Sequence, residues 1–408
     1  MKCRSCGKTD FVLFADLGFA PPSNSYLTID TKSQMEAHFP LRVFVCSACY
    51  FVQTQDIADR EIFFNHDYAY FSSFSRSWLN HCEKFVENIL PKTKLAQDSL
   101  IIEVGSNDGY LLEIFKRRGL NVMGIEPTES TAKVARNKKI NTLSNFFSSA
   151  LARELVPKYG KADLMIGNNV LAHVPDINDF IAGFAILLKD NGLVTFEFPH
   201  LLNLIKFSQF DTIYHEHYSY LSLVALIPLF ERHGLNLFDA EVLDTHGGSL
   251  RIYLSKSESG FEASKNVRRI ISEEKEYGLE DLDTYRTFPL KYQAVKNELL
   301  EYLIKAKKSG KKIAAYGAAA KGNTLLNYCG IREDIVESVA DANIHKQGKY
   351  LPGSCIPIVS LKNLVDSDPD VVIILPWNLS REIMELLVPE LSSKTEYLVA
   401  IPKLFRIK

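Results

Sequence analysis

The run Leu100-Ile101-Ile102-Glu103-Val104-Gly105-Ser106-Asn107-Asp108-Gly109-Tyr110-Leu111 narrows the possible folds of this chain more than any other stretch. A largely apolar strand runs into a glycine turn, where a ligand can approach the backbone, and a helix beginning at Tyr110 offers free amide groups to an anion. Ser99 to Val104, Asn121 to Glu126, Asp163 to Gly167 and Gly192 to Phe198 read as buried strands with amphipathic segments between them. That alternation predicts an α/β fold, a doubly wound parallel sheet with helices on both faces. Glu126 ends the second strand, where doubly wound sheets grip a ribose diol.

One such unit does not account for 408 residues. Residues 1–70 are short runs broken by Gly18, Pro21, Pro22 and Pro40, and read as a small separate module. Residues 71–285 hold the sheet just described. Val295, Leu299, Leu303 and Ala306 have helical spacing and predict a connecting helix that ends at Lys307-Lys308-Ser309-Gly310. Beyond it, Lys312 to Tyr316, Ile335 to Ala340 and Val371 to Leu375 are strand-like, so residues 286–408 read as that helix plus a smaller Rossmann-like unit.

Cys3 and Cys6 form one C-x-x-C pair and Cys46 and Cys49 another, with positions 7–45 between them. Two such pairs complete a tetrahedral, closed thiolate shell, so the module is expected to hold a structural Zn(II) with no open position for chemistry. The long interval between the pairs suggests a strand pair or a substrate-facing loop.

Tyr214-His215-Glu216-His217-Tyr218-Ser219-Tyr220 concentrates two imidazoles, a carboxylate and three phenols. Such a set can exchange protons near neutral pH. If it were a strand, H-E-H would put both imidazoles on one side. His173, just after a predicted strand, and Tyr68 in Asp67-Tyr68-Ala69-Tyr70 are candidates to join it. In the C-terminal unit, Gly317-Ala318-Ala319-Ala320-Lys321-Gly322-Asn323-Thr324 has Asn323 where a phosphate-loop ATPase has lysine, which argues against ATP hydrolysis. A glycine turn opening a helix still suits a diphosphate. Asp341, at the end of the next predicted strand, stands where a ribose acid would.

The E-x-G-x-x-x-G spacing of Glu103, Gly105 and Gly109 resembles motif I of class I S-adenosylmethionine-dependent methyltransferases, over roughly Ser99 to Phe198. That resemblance implies a cofactor site of Glu103, Gly105, Asn107, Gly109, Glu126 and Asn168. The double C-x-x-C, the E-V-G-S-N-D-G-Y turn, the Y-H-E-H-Y-S-Y segment, Thr245-His246-Gly247-Gly248-Ser249-Leu250-Arg251 and Tyr316-Gly317 to Asn323 occur in order along the chain. Together they resemble the nucleotide-sugar C-methyltransferases, which methylate carbon 3 of a nucleoside-diphosphate 4-keto-6-deoxy sugar in branched deoxysugar biosynthesis. By that similarity His217 matches the general base, and Tyr214, Glu216, His173 and Tyr68 match residues of the sugar pocket. Lys321, Lys346 and Asn378 become candidate contacts to the nucleotide. An O- or N-methyltransferase on another small molecule is the nearest alternative.

A formal charge of −2 offers no general attraction for phosphate backbones, so a nucleic-acid partner is not expected. The longest uncharged apolar stretch, Tyr218 to Phe230, is too short to span a bilayer. The polar start at Met1-Lys2-Cys3-Arg4 shows no secretory pattern. These features lead us to expect a cytoplasmic protein, a monomer or weak homo-oligomer; the resemblance implies an enzyme whose cofactor is S-adenosylmethionine, beside the Zn(II) expected from the cysteine pairs.

Overall fold

The computed structural model describes residues 1–57, 72–74 and 76–407, and Tyr68 lies outside the described residues. Three sheets organise what is described. The first is antiparallel and contains β1 (Phe11–Ala20), β2 (Phe39–Cys46), β3 (Val52–Thr54) and β9 (Ser219–Tyr220). Its long β1–β2 hairpin fills the interval between the two cysteine pairs and brings Cys46 to the end of β2. The last strand comes from far along the chain, with Tyr220 opposite Val52, so the cysteine-bearing sheet is completed by the Y-H-E-H-Y-S-Y segment itself.

The central sheet has seven strands in the order β10-β11-β8-β7-β4-β5-β6. These are β4 (Leu100–Val104), β5 (Asn121–Ile125), β6 (Asn141–Leu143), β7 (Ala162–Asn168), β8 (Leu188–Pro199), β10 (Leu235–Leu243) and β11 (Ser249–Lys256). Strands β4 to β8 pair in parallel, whereas β11 runs antiparallel to both β8 and β10. Every residue of β4 is buried, as a central strand covered by helices on both faces requires. From β4 the chain winds outward through β5 and β6, then returns to wind the other way through β7 and β8. A crevice therefore opens beyond the C-terminal ends of β4 and β7. The β10–β11 hairpin and the three-residue β6 escaped the sequence reading, because β10 interrupts its apolar residues with Asp239 and Glu241.

The long helix is observed at Phe288–Lys308, burying Val295, Leu299, Leu303 and Ala306. Phe288 at its start stacks on Phe14 of β1, with ring centroids 4.6 Å apart. The third sheet, in the order β14-β13-β12-β15-β16-β17, contains β12 (Ile313–Tyr316), β13 (Val339–Ala340), β14 (Ile358–Val359), β15 (Val371–Ile374), β16 (Glu396–Val399) and β17 (Phe405–Ile407). It is parallel except for β17. The strand expected from Ile335 forms only at Val339–Ala340. The amides of Ile335 and Val336 bond instead to the Arg332 carbonyl, so this apolar pair turns rather than extends. Among the described residues no helix is long and apolar enough to cross a membrane.

Candidate active site

At the end of β4 the backbone enters left-handed conformations at Gly105 (φ 71°), Asn107 (φ 49°) and Gly109 (φ 76°) before the helix Tyr110–Arg117 begins. A Cβ at Gly109 would lie 2.5 Å from Ile140 Cδ1, so both conformation and space demand glycine there. At the tip of β5, Glu126 accepts the amides of Asn107 (2.8 Å) and Thr128 (2.9 Å), which fixes its carboxylate beside the turn. Burial drives the Glu103 carboxyl well above the usual carboxylate range, with the Tyr110 hydroxyl acting the other way. Asn168 closes the opposite wall at the end of β7, and its buried Oδ1 has no partner among the described residues. A polar ligand seated over the glycine turn would satisfy that oxygen, so these residues fit a cofactor with a ribose and an amino-acid tail.

The cysteine sulfurs Cys3, Cys6, Cys46 and Cys49 all lie within 4.8 Å of one another, with Cys3–Cys49 and Cys6–Cys46 each at 3.6 Å. A tetrahedron of Zn–S bonds of about 2.3 Å has edges of roughly 3.8 Å. The four thiols therefore already hold nearly the shape that the metal needs.

From Tyr214 to Tyr218 the acid–base cluster turns, and only its last two residues, Ser219–Tyr220, extend as β9. The His217 amide bonds to the Tyr214 carbonyl, Tyr218 N–H to Ala172 O beyond β7, and Thr54 N–H to Tyr218 O. This turn separates the two imidazoles that a strand would have placed together. His215 faces the Phe39 carbonyl at 3.3 Å, while His217 turns inward. Nδ1 of His217 is 2.8 Å from the Thr212 carbonyl, which can only accept, so this nitrogen carries the proton. Burial holds the ring far below its usual protonation range, and His173 and Lys321 push in the same direction. The ring is thus neutral, with its lone pair on Nε2, to which the Tyr214 hydroxyl donates at 2.8 Å.

His173 repeats the pattern. Its Nδ1 donates to the Glu216 carbonyl at 2.8 Å, burial lowers its pKa to about 4, and its ring meets that of His217 edge-on at 4.7 Å. It is the Glu216 main-chain carbonyl, not its carboxylate, that orients the His173 imidazole. Both carboxylate oxygens face Asn24, and burial pushes the carboxyl up to about 7. A carboxyl whose proton is held more tightly in the folded chain than in the unfolded one loses stability as pH rises from its unfolded pKa, near 4.3, through about 7. Glu216→Gln is therefore expected to raise Tm at pH 8 by several degrees and to leave it nearly unchanged at pH 4, as scanning calorimetry would show.

The C-terminal unit reaches the same cluster. Lys321 Nζ donates to Asn378 Oδ1 (2.8 Å) and sits 4.7 Å from the Trp377 ring centre, while Trp377 Nε1 donates to Asp211 (2.7 Å). Burial lifts Asp211 to about 6 against the pull of Lys321. Trp377 packs so closely on Gly247 (φ 88°) that a Cβ there would lie 2.1 Å from the ring. Lys346 donates to the Ala318 carbonyl at 2.8 Å. Asp341 accepts the amides of Ala318 and Asn343, folding back on the Gly317 turn much as Glu126 does on its own. Sequence reasoning did not single out Asn24 or Asp211. It also missed a buried group in which Glu197 accepts from Arg251 (2.5 Å), from Thr245 (2.9 Å) and from His81 (2.9 Å). Its members are joined only by the fold.

A doubly wound sheet with a reversed edge hairpin, a glycine turn after its first strand and an acid at the tip of its second defines a class I S-adenosylmethionine-dependent methyltransferase. The chain belongs to the C-methyltransferase family, and it is 34% identical to the C-methyltransferase NovU of Streptomyces niveus over 98% of this chain and 96% of that protein. Three family matches tile it: a zinc binding domain over residues 3–64, a methyltransferase domain over 75–240 and a C-methyltransferase C-terminal domain over 244–402. A ubiquinone biosynthesis O-methyltransferase of Bartonella quintana is 32% identical over 23% of this chain and 38% of its own length. The magnesium protoporphyrin IX methyltransferase of Synechocystis, solved with bound SAM, is 16% identical with a TM-score of 0.34, covering 44% of this chain and 79% of that one. The assignment rests on the full-length relative and the three family matches.

Proposed function

We propose that this C-methyltransferase acts on carbon 3 of a nucleoside-diphosphate 4-keto-6-deoxy sugar, through an enolate, in branched deoxysugar biosynthesis. The observation that carries the reading is His217, a buried neutral imidazole whose Nδ1 is pinned by Thr212 and whose Nε2 lone pair points at Tyr214. Carbon is a poor nucleophile until a proton is removed next to a carbonyl, and a base of fixed tautomer is what that step needs. Methylation of oxygen or nitrogen can proceed largely by proximity and does not call for it.

In this reading Nε2 of His217 takes the proton from carbon 3. The Tyr214 hydroxyl, turned from Nε2 to the substrate, and Tyr68 donate to the enolate oxygen or to sugar hydroxyls, while His173, whose one ring proton is held by the Glu216 carbonyl, accepts from a sugar hydroxyl at Nε2. The field of Lys321, which disfavours protonation of both His217 and His246, also favours negative charge developing beside them. Glu103, Gly105, Asn107, Gly109, Glu126 and Asn168 hold the cofactor. When bound, S-adenosylmethionine supplies an electrophilic methyl group on sulfur. Lys321 with Asn378, and Lys346, contact the diphosphate, with functional boundaries at 1–70, 71–285 and 286–408. The enzyme works in the cytoplasm as a monomer or weak homo-oligomer.

The test is product analysis after incubation with S-adenosylmethionine and a panel of nucleotide-linked 4-keto-6-deoxy sugars. A new methyl singlet on a quaternary or proton-depleted carbon 3 in the NMR spectrum is expected. A methyl carried by oxygen or nitrogen would overturn the reading.

A further inference from the structure

Among the described residues, the carboxylate of Glu216 meets one side chain, and that side chain comes from the far end of the chain, in the loop after β1. Asn24 Nδ2 lies 2.7 Å from Oε1 and 2.9 Å from Oε2 of Glu216, across a separation of 192 residues. Glu216 itself is 2% exposed. Asn24 follows the Pro21-Pro22 pair after β1, within the segment whose cysteines are suited to zinc. Its position is fixed from both sides. Ser25 N–H bonds to Pro22 O, the Tyr26 hydroxyl to Ala318 O (2.7 Å), and Leu27 bridges to Tyr350.

We infer that Asn24 is a positioning residue of the acid–base site, through which the N-terminal segment holds the Glu216 carboxyl in the orientation used on the substrate. The inference rests on the reading of Glu216 as part of the sugar pocket. The amide stabilises the ionised carboxylate, because an N–H donor favours the charged form. It also restricts a side chain that has no other anchor among the described residues. The other titratable groups around Glu216 are His173 on its carbonyl, His217 beside it in the chain, and Tyr26, which feels its charge and lies 5.3 Å from Lys346. None of these offers the carboxylate a second donor. A tie that merely braced the loop after β1 against the turn before β9 would affect melting and nothing else.

The test uses full-length enzyme with carboxyl-carbon-labelled glutamate, the Glu216 resonance being assigned by its loss in Glu216→Gln. In Asn24→Ala the titration midpoint of that resonance is expected to move up by about one pH unit, a tenfold gain in proton affinity. It should move further in Asn24→Asp, where two carboxylates share the space. The methylation rate should fall about tenfold or more in both, with zinc content and S-adenosylmethionine affinity unchanged. Asn24→Asp has nearly the volume of asparagine and carries the test if the alanine variant does not fold. An unmoved midpoint, or a rate loss that merely follows lost stability, would overturn the inference. The titration needs no substrate. A shifted midpoint in an enzyme that methylates no nucleotide keto sugar would therefore sink the sugar reading and leave the tie between Asn24 and Glu216 standing.

Discussion

His217→Asn is expected to lower methyl transfer by about 10²- to 10⁴-fold, the usual contribution of a positioned general base. S-adenosylmethionine affinity should be unchanged. Asparagine can keep the N–H that Nδ1 donates to the Thr212 carbonyl, so the turn from Tyr214 to Tyr218 has no reason to open. It has no basic lone pair where Nε2 stands. Burial already depresses proton affinity at His217, with His173 and Lys321 adding to the effect, so the wild-type ring stays unprotonated well into the acid range. Acid loss of activity in the ordinary imidazole range, around pH 6.5, should therefore not be traceable to this histidine. Rate measurements at saturating sugar, paired with calorimetric titration of the cofactor, check both halves. A variant with wild-type turnover would remove His217 as the base.

Cys46→Ser should empty the metal site and cost most of the activity, although all four cysteines lie outside the cluster of His217. Cys46 is fully buried at the end of β2, its sulfur 3.6 Å from that of Cys6. A closed thiolate site contributes on the order of 10 kcal/mol of binding free energy in small zinc domains, so losing one ligand loosens the local fold. Two connections carry that damage inward. Strand β3, just after Cys49, pairs with Ser219 and Tyr220, two and three residues beyond His217, and Asn24 reaches Glu216. Zinc measured by atomic absorption is expected to fall from one equivalent to near none, with Tm lower by roughly 10 °C on the basis that a few kcal/mol moves a domain by that much. Undiminished metal content would refute the four-thiolate site.

The features legible in the sequence are those whose partners are close in the chain. Strand β4, its glycine turn and the helix after it fall within eighteen residues, Leu100 to Arg117, and periodicity with turn chemistry is enough to find them. The cysteines declare themselves through spacing, although the hairpin that joins the pairs does not show how its last strand is supplied. The Y-H-E-H-Y-S-Y segment is visible as a concentration of titratable groups. Whether His215 and His217 share a side depends on whether the segment extends or turns, and the hydrogen bonds to Ala172 and Thr54 decide that. Long-range pairs such as Asn24 with Glu216, Trp377 with Asp211, and Arg251 with Glu197 leave no local trace, because each residue is an ordinary polar one until the fold brings its partner close. Ile335 and Val336 look like strand for a related reason: apolar, β-branched residues satisfy a core from a turn as well as from a strand.

The central claim is that this site makes a carbon nucleophile. Its most direct test is hydrogen exchange in heavy water, with a nucleotide-linked 4-keto-6-deoxy sugar and no S-adenosylmethionine, followed at carbon 3 by NMR. The account predicts wash-in of deuterium at that carbon by the wild-type enzyme, its loss in His217→Asn, and replacement of the exchanged position by a methyl group once the cofactor is added. A wild-type enzyme that methylates such a sugar on oxygen or nitrogen, with no exchange at carbon 3, would contradict it.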